Sequence, residues 1–368
     1  MPVRVSYKKQ FLLLTLFLLV ILTVIEGWAY GYDYFNPTKC ERYLPYSDFN
    51  RRCLDNSNLI YVKDPVLNRI TWEPNQHMQT ININSDGFRG PEIQKEKPDD
   101  TYRIVMVGGS TVFGYFSRSD QHTLPAHLQE KFNQLNLEKR VEVINAGIHG
   151  YNSNDELNLI KKKIVYYDPD LVIIYDGSNE IFRQYNSTIN AYDPGALNYI
   201  YRKYFQFYKT LDVISNMIEK PKGALIFSEF GDRHDKLELD DRAELWKNNM
   251  LAICEIGNQN GIKTLIFLQP FLGTGNQTLT EYESGIFNNQ VLKWFHNALV
   301  EYSFFTDRLD DLNHSCTGAF DLRNIFDNSQ REVFFDKWHH WDIYNGVLAD
   351  EIFDFALPLI EDEGISRI

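Results

Sequence analysis

Cysteine is scarce: the 368-residue chain has four, none in a C-x-x-C pair. A disulfide scaffold and a structural zinc site are therefore not encoded. Basic residues are also short, with 37 Lys and Arg against 50 Asp and Glu for a formal charge of −13. A nucleic-acid binder normally carries a basic footprint, so nucleic acid is not an expected partner. The phosphate-cradling patterns G-x-G-x-x-G and G-x-x-x-x-G-K-[ST] do not occur, nor does the G-x-S-x-G nucleophile elbow. Internal repeats and low-complexity tracts are absent too. What is plentiful is apolar material, 43% hydrophobic and 14% aromatic, enough for a sizeable core in one large domain or two ordinary ones.

One long hydrophobic run stands at the amino terminus. Arg4, Lys8 and Lys9 precede an uncharged stretch from Phe11 to Ile25, which Glu26 ends. A basic segment followed by an apolar one is the pattern of an export signal. A spanning helix needs about 20 residues. Extension through Tyr30 reaches that length, with Trp28 and Tyr30 as an interfacial belt. Gly27-Trp28-Ala29 also fits a small-x-small cleavage site. Residues 1–30 are thus a retained signal anchor or a cleaved signal peptide, and either places the rest of the chain outside the cytoplasm. An oxidising compartment permits a bridge between Cys40 and Cys53. Cys254, in an apolar helical stretch, is expected as a buried thiol. Asn186, Asn276 and Asn313 begin N-x-[ST] triplets.

Residues 31–100 read as an irregular, proline-bearing extension with strand-like runs at Leu59–Val62 and Gln79–Ile83 and a turn at Asp86-Gly87. Beyond them strands and helices alternate. Strands are expected at Arg103–Val107, Val141–Ile144, Leu171–Tyr175 and Lys263–Leu268. Helices are expected at His122–Leu137, Asn154–Val165, Asp241–Asn258, Thr278–Tyr302 and Asp342–Ala356. This alternation predicts an α/β fold, a three-layer α/β/α arrangement around a central parallel sheet. Residues 186–240 interrupt it as an insertion or lid. They carry an aromatic helical stretch at Leu197–Tyr208, whose Tyr199, Tyr201, Tyr204 and Phe205 offer sugar-stacking faces or simply an apolar helix face.

The polar chemistry clusters at strand ends, where ligands bind in open α/β sheets. The first strand ends in Gly108-Gly109-Ser110-Thr111. The second runs into Asn145-Ala146-Gly147-Ile148-His149-Gly150, and a glycine there can offer its N–H to an oxyanion. The third ends in Asp176-Gly177-Ser178-Asn179-Glu180. Asn179 either supplies an amide donor to that oxyanion or caps the next helix. Near the carboxyl end lies Asp336-Lys337-Trp338-His339-His340. An Asp three residues before a His can orient the imidazole through Nδ1 and leave Nε2 as a base.

These four blocks, in this order, resemble the SGNH (GDSL-type) hydrolase family over roughly residues 84–357, including the lead-in Asn84-Ser85-Asp86-Gly87-Phe88-Arg89-Gly90. The resemblance implies residues 101–368 as a hydrolase-like domain, with Ser110 as nucleophile. Gly150 is its oxyanion glycine, with Gly147 as the alternative, and Asn179 a further donor. Asp336 and His339 complete the triad, with His340 as the alternative imidazole. Gly109 stands where the family usually has Asp, and Glu180 replaces the second Asp of the third block. No metal or organic cofactor is required. The activity implied is an extracytoplasmic serine esterase cleaving an O-acyl, acetyl or short acyl, ester of a small molecule, glycan or lipid. An O-acyltransferase on surface glycans and a non-catalytic glycan-binding protein are the alternatives, the latter motivated by Gly109 and Glu180.

Overall fold

The computed structural model describes residues 6–35, 52–53, 55–56, 58–182, 210, 213–214, 239–288, 295, 299–300 and 302–365. The expected insertion at 186–240, its aromatic stretch and Cys40 lie for the most part or wholly outside these. Contacts divide the chain into two compact units, Met1–Asn50 with Asn190–Glu229, and Arg51–Ile189 with Phe230–Ile368.

In the first unit, helix α1 (Tyr7–Phe35) is continuous. Its segment Tyr7–Tyr32 is long and apolar enough to cross a membrane. The one carboxylate within the apolar part, Glu26, accepts from the backbone N–H and hydroxyl of Thr210.

The second unit holds a five-stranded, wholly parallel sheet. Its strands are β5 (Thr101–Gly108), β6 (Arg140–Gly147), β7 (Leu171–Asp176), β8 (Lys263–Leu268) and β9 (Gly318–Asp321). Their spatial order is β6-β5-β7-β8-β9. Every residue of β5 and β7 is buried, as near-continuous apolar runs are in a sheet covered on both faces. The β5-to-β6 and β6-to-β7 connections run in opposite directions along the sheet, so crossovers of the usual right hand place their helices α3 (Leu124–Asn133) and α4 (Ser153–Lys162) on opposite faces. The closing helix α8 (Asn345–Glu361) packs on α3, and α6 (Leu239–Gln259) packs on α4. Between these lie the short helices α2 (Ser110–Phe113), α5 (Ser178–Phe182) and α7 (Glu281–Phe287).

The fifth strand, β9, was not anticipated: four residues beginning with glycine carry too little periodicity to show. The edge strand β6 is sealed by a side chain. Gln129 donates through Nε2 to the Val141 carbonyl at 2.9 Å and accepts from the Val143 N–H at 2.7 Å, which occupies pairing groups that an exposed edge would offer to another chain.

The segment expected to be irregular is ordered over 58–100 and belongs to this second unit. It forms two antiparallel hairpins. β1 (Tyr61–Asp64) pairs with β2 (Arg69–Trp72), and β3 (Gln76–His77) with β4 (Asn82–Ile83). Asn84 folds the Asp86-Gly87 turn by accepting from the Asp86 and Phe88 N–H groups. Arg103, fully buried on β5, pairs with Glu142 at 2.7 Å and donates to the carbonyls of Gln94, Lys95 and Tyr167. One guanidinium thus pins residues 94 and 95 to the sheet.

Cys254 is not a free thiol. It is bonded to Cys316, with Cα atoms 5.0 Å apart. The two meet because α6 lies on β8 and against the single-turn helix Leu309–Leu312 that leads to β9, a proximity that sequence spacing does not reveal. Cys53 is also disulfide-bonded. The Cys254–Cys316 link spans 62 residues, for which loop-closure entropy gives about 4 kcal/mol of stabilisation. The paired substitution Cys254→Ala/Cys316→Ala should lower unfolding free energy by roughly that amount in denaturant titration, and reductant, which also opens the Cys53 bridge, should lower wild type at least as far.

Candidate active site

Strands β5 and β7 flank the point where the strand order reverses, and the loops after β5, β6 and β7 converge at their carboxyl ends, where a ligand crevice forms in such sheets. The sharp turn Gly108-Gly109 delivers Ser110 to the first position of α2. The serine is 8% exposed. Two glycines fit this turn into its surroundings. A Cβ on Gly147 would lie 2.1 Å from the Phe113 nitrogen, so α2 rests directly on the β6 terminus. A Cβ on Gly109 would lie 2.3 Å from Asn179 Nδ2. An aspartate there would displace that amide, which accounts for the glycine.

Ser110 Oγ lies 2.7 Å from His339 Nε2, and His339 Nδ1 lies 2.7 Å from Asp336 Oδ2. An ionised carboxylate only accepts, so Nδ1 carries the proton and Nε2 is left to accept from the serine hydroxyl. Asp336 Oδ1 accepts from the backbone N–H groups of Trp338 and His339, both at 2.7 Å. This local turn is why the Asp-x-x-His spacing aims the ring. Burial would raise the Asp336 carboxyl, but His339 and the two N–H donors outweigh it and hold it below the usual carboxylate range. His340 packs against Phe326, with Nδ1 3.2 Å from the Trp341 carbonyl. Burial pushes it down to about 4, so it is a neutral core residue apart from this relay.

Asn179 donates one amide hydrogen to the Tyr151 carbonyl at 2.8 Å and keeps a second beside Gly109. Of the two candidate glycines, Gly147 donates its N–H to Asn145 Oδ1 at 3.0 Å. Gly150 sits at φ +69° in the turn before α4, and among the described residues its N–H has no acceptor. Ser110, Gly150 and Asn179 thus stand on three adjacent loops.

Several residues that support the site have no role assigned to them by the sequence patterns. Arg89, fully buried, donates to the Phe113 and Gly114 carbonyls at 3.1 and 2.8 Å. These are orphan acceptors at the end of α2, and Asp120 balances the charge at 2.8 Å. Trp72 Nε1 donates to the Gly147 carbonyl at 3.1 Å, and the Tyr151 hydroxyl donates to the Ile70 carbonyl at 2.6 Å. The hairpins of 58–100 therefore form the floor under these loops. On the other side, Gln269 at the end of β8 lies 3.1 Å from Thr111 Oγ1 and donates to Ser178 Oγ at 2.7 Å, which links α2 to α5. Aromatic rings flank the imidazole: Tyr115 at 4.7 Å and Phe335 stacked at 5.8 Å between centroids. Phe116 holds φ +61°, a strained setting for a bulky side chain. His149 is enclosed by Phe113, Trp72 and Tyr115 and contacts the Tyr61 hydroxyl at 3.0 Å. Burial first, then His339 and Arg89, hold it well below its ordinary pKa and neutral.

No group of His, Cys, Asp and Glu that could hold a metal ion is found among the described residues.

No family model matches this chain, and no curated protein does. Solved structures similar to it include the acetyl xylan esterase AlAXEase, at 16% identity and a TM-score of 0.40 over 68% of this chain and 98% of that one. TesA is similar at 14% and 0.40 over 70% and 99%. An acetylxylan esterase from Geobacillus stearothermophilus is similar at 13% and 0.40 over 69% and 93%.

Because the Asp336 pKa is depressed in the folded state, its contribution to stability is present above the unfolded carboxyl pKa and is lost as pH falls through the folded one. Asp336→Asn should therefore be less stable than wild type at pH 7, and the gap should close below about pH 4. Thermal unfolding of both proteins across that range measures it.

Proposed function

We propose that this protein is a serine ester hydrolase of the SGNH type, acting outside the cytoplasm on an O-acyl ester with an acetyl or other short acyl group. The observation that carries the reading is the unbroken relay from Asp336 through His339 to Ser110, with both hydrogen bonds at 2.7 Å.

In this reading His339 Nε2 takes the Ser110 hydroxyl proton as Oγ bonds to the ester carbonyl carbon. The carbonyl oxygen becomes an oxyanion, received by the N–H groups of Ser110 and Gly150 and the second amide hydrogen of Asn179. Asp336 holds the ring in the tautomer that accepts, then stabilises the imidazolium. Collapse of the tetrahedral intermediate expels the alcohol, which leaves with the proton from Nε2, and an acyl-serine remains. Water, deprotonated by the same nitrogen, then attacks the acyl carbon. The second collapse releases the carboxylic acid and returns the proton to Ser110.

The near-complete burial of Ser110 and His339, 8% and 4% exposed, supports a small acyl group. The apolar α1 helix supports attachment to a membrane, as an anchor or as a signal before cleavage. The Cys254–Cys316 disulfide supports an oxidising compartment. The alcohol portion is that of a small molecule, a glycan or a lipid.

Turnover of p-nitrophenyl acetate by the full chain tests the reading. Ser110→Ala and His339→Ala should each abolish it. Asn179→Ala should lower kcat by about 10²–10³, as loss of one oxyanion donor does. Equal turnover by wild type and Ser110→Ala would overturn the assignment.

A further inference from the structure

Behind the oxyanion loops lies a group of three carboxylic acids that the proposed chemistry does not use. Glu156 on α4, Asp176 at the end of β7 and Glu180 on α5 are each at most 1% exposed. None forms an ion pair among the described residues, and both oxygens of Glu156 are buried without a hydrogen-bond partner there. Three such groups cannot all ionise in one dry site. Burial is the first cause that pushes each upward, Asp176 to about 6, and their mutual repulsion adds for Glu156 and Glu180. At least part of the cluster is therefore neutral carboxyl, able to accept and to donate.

Glu180 has a defined partner. Its carboxyl oxygen Oε1 accepts from the Ser153 N–H, the first residue of α4 and three residues beyond Gly150. The preceding side chain, Asn179, donates to the Tyr151 carbonyl. Two parallel bonds thus run from α5 to the 150–153 loop. α6 backs both ends: Asn249 donates to Ser153 Oγ at 3.0 Å, and Arg242 donates to the Glu180 carbonyl at 2.9 Å. Asp155, beside the cluster on α4, is paired with Arg69 of β2 at 2.7 Å.

We propose that Glu180 is a positioning residue for the oxyanion hole: by tying the start of α4 to α5 it fixes the spacing between the Gly150 N–H and the Asn179 amide. Those donors come from the ends of two different strands, β6 and β7, and an oxyanion hole works only if its donors are set before reaction. The reach also explains the residue type. An aspartate at 180, one methylene shorter on the same helix, falls short of the Ser153 N–H. The inference rests on the esterase reading for what the two donors receive, while the tie itself does not.

The test measures amide hydrogen exchange over residues 147–153 and p-nitrophenyl acetate kinetics for the full chain with Glu180→Ala, Glu180→Asp and Glu180→Gln. Ala and Asp should speed exchange of that loop about tenfold, as loss of one buried hydrogen bond predicts. They should also lower kcat on the order of 10²-fold with little change in KM. Gln, which keeps the accepting oxygen and the shape of a neutral carboxyl, should retain both properties within about threefold, well inside the loss that follows removal of such a bond. A loop as protected in Ala and Asp as in wild type would overturn the proposal. So would a loosened loop with undiminished kcat, or a Gln variant as impaired as Ala. If Ala does not fold, the contrast between Asp and Gln decides. If wild type itself does not turn over, the esterase reading fails, and the exchange contrast still decides the tie.

Discussion

A hydrogen bond of 2.7 Å joins Ser110 to His339 across 229 residues of sequence, and the rest of the molecule can be understood as what fixes its two ends. A relay of this kind tolerates little misplacement, since a shift of about 1 Å in a reacting group can cost 10²-fold in rate. Ser110 is held by the buried end of β5 and by α2 seated on Gly147. His339 is held by the turn that Asp336 folds around its own backbone. Neither end depends on a long flexible side chain.

The same economy appears in the polar residues beneath the site. Buried polar groups are costly unless satisfied and are rigidifying when they are. Arg89 takes the carbonyls at the end of α2, Trp72 the carbonyl of Gly147, and Gln269 bridges α2 to α5. Glu180 bridges α5 to α4. Gln269 and Glu180 join elements that carry groups of the site, and Arg89 and Trp72 tie such elements to the hairpin segment beneath. The unpaired carboxyl groups around Glu180 show the cost of that rigidity, since a more stable core would not enclose them.

Much of this architecture is legible in the sequence, because it is written in local patterns. The apolar runs at Arg103–Val107, Leu171–Tyr175 and Lys263–Leu268 are interior strands, and their ends mark where polar chemistry gathers. Asp336 and His339 are close in sequence and close in space for the same reason. The supporting residues are not legible, because their partners are distant. Arg89 meets Phe113 through a bridge from a hairpin to an edge strand, and Gln269 meets Thr111 across 158 residues. Cys254 meets Cys316 only because α6 packs on β8 and against the short helix that precedes β9. The residues of 58–100 look irregular because their strands have two to four residues. Their role as the floor of the site becomes visible only once β6 lies above them. Gly109 and Glu180, which depart from the family pattern, are explained by neighbours: one makes room for the Asn179 amide and the other reaches Ser153.

The most direct test of an activated serine is covalent. The full-length protein would be treated with a fluorophosphonate probe, digested, and its labelled peptide mapped by mass spectrometry. A single adduct on Ser110, absent after heat denaturation and in His339→Ala, is the expected result. A folded protein that remains unlabelled, or that is labelled at another residue, would contradict the account.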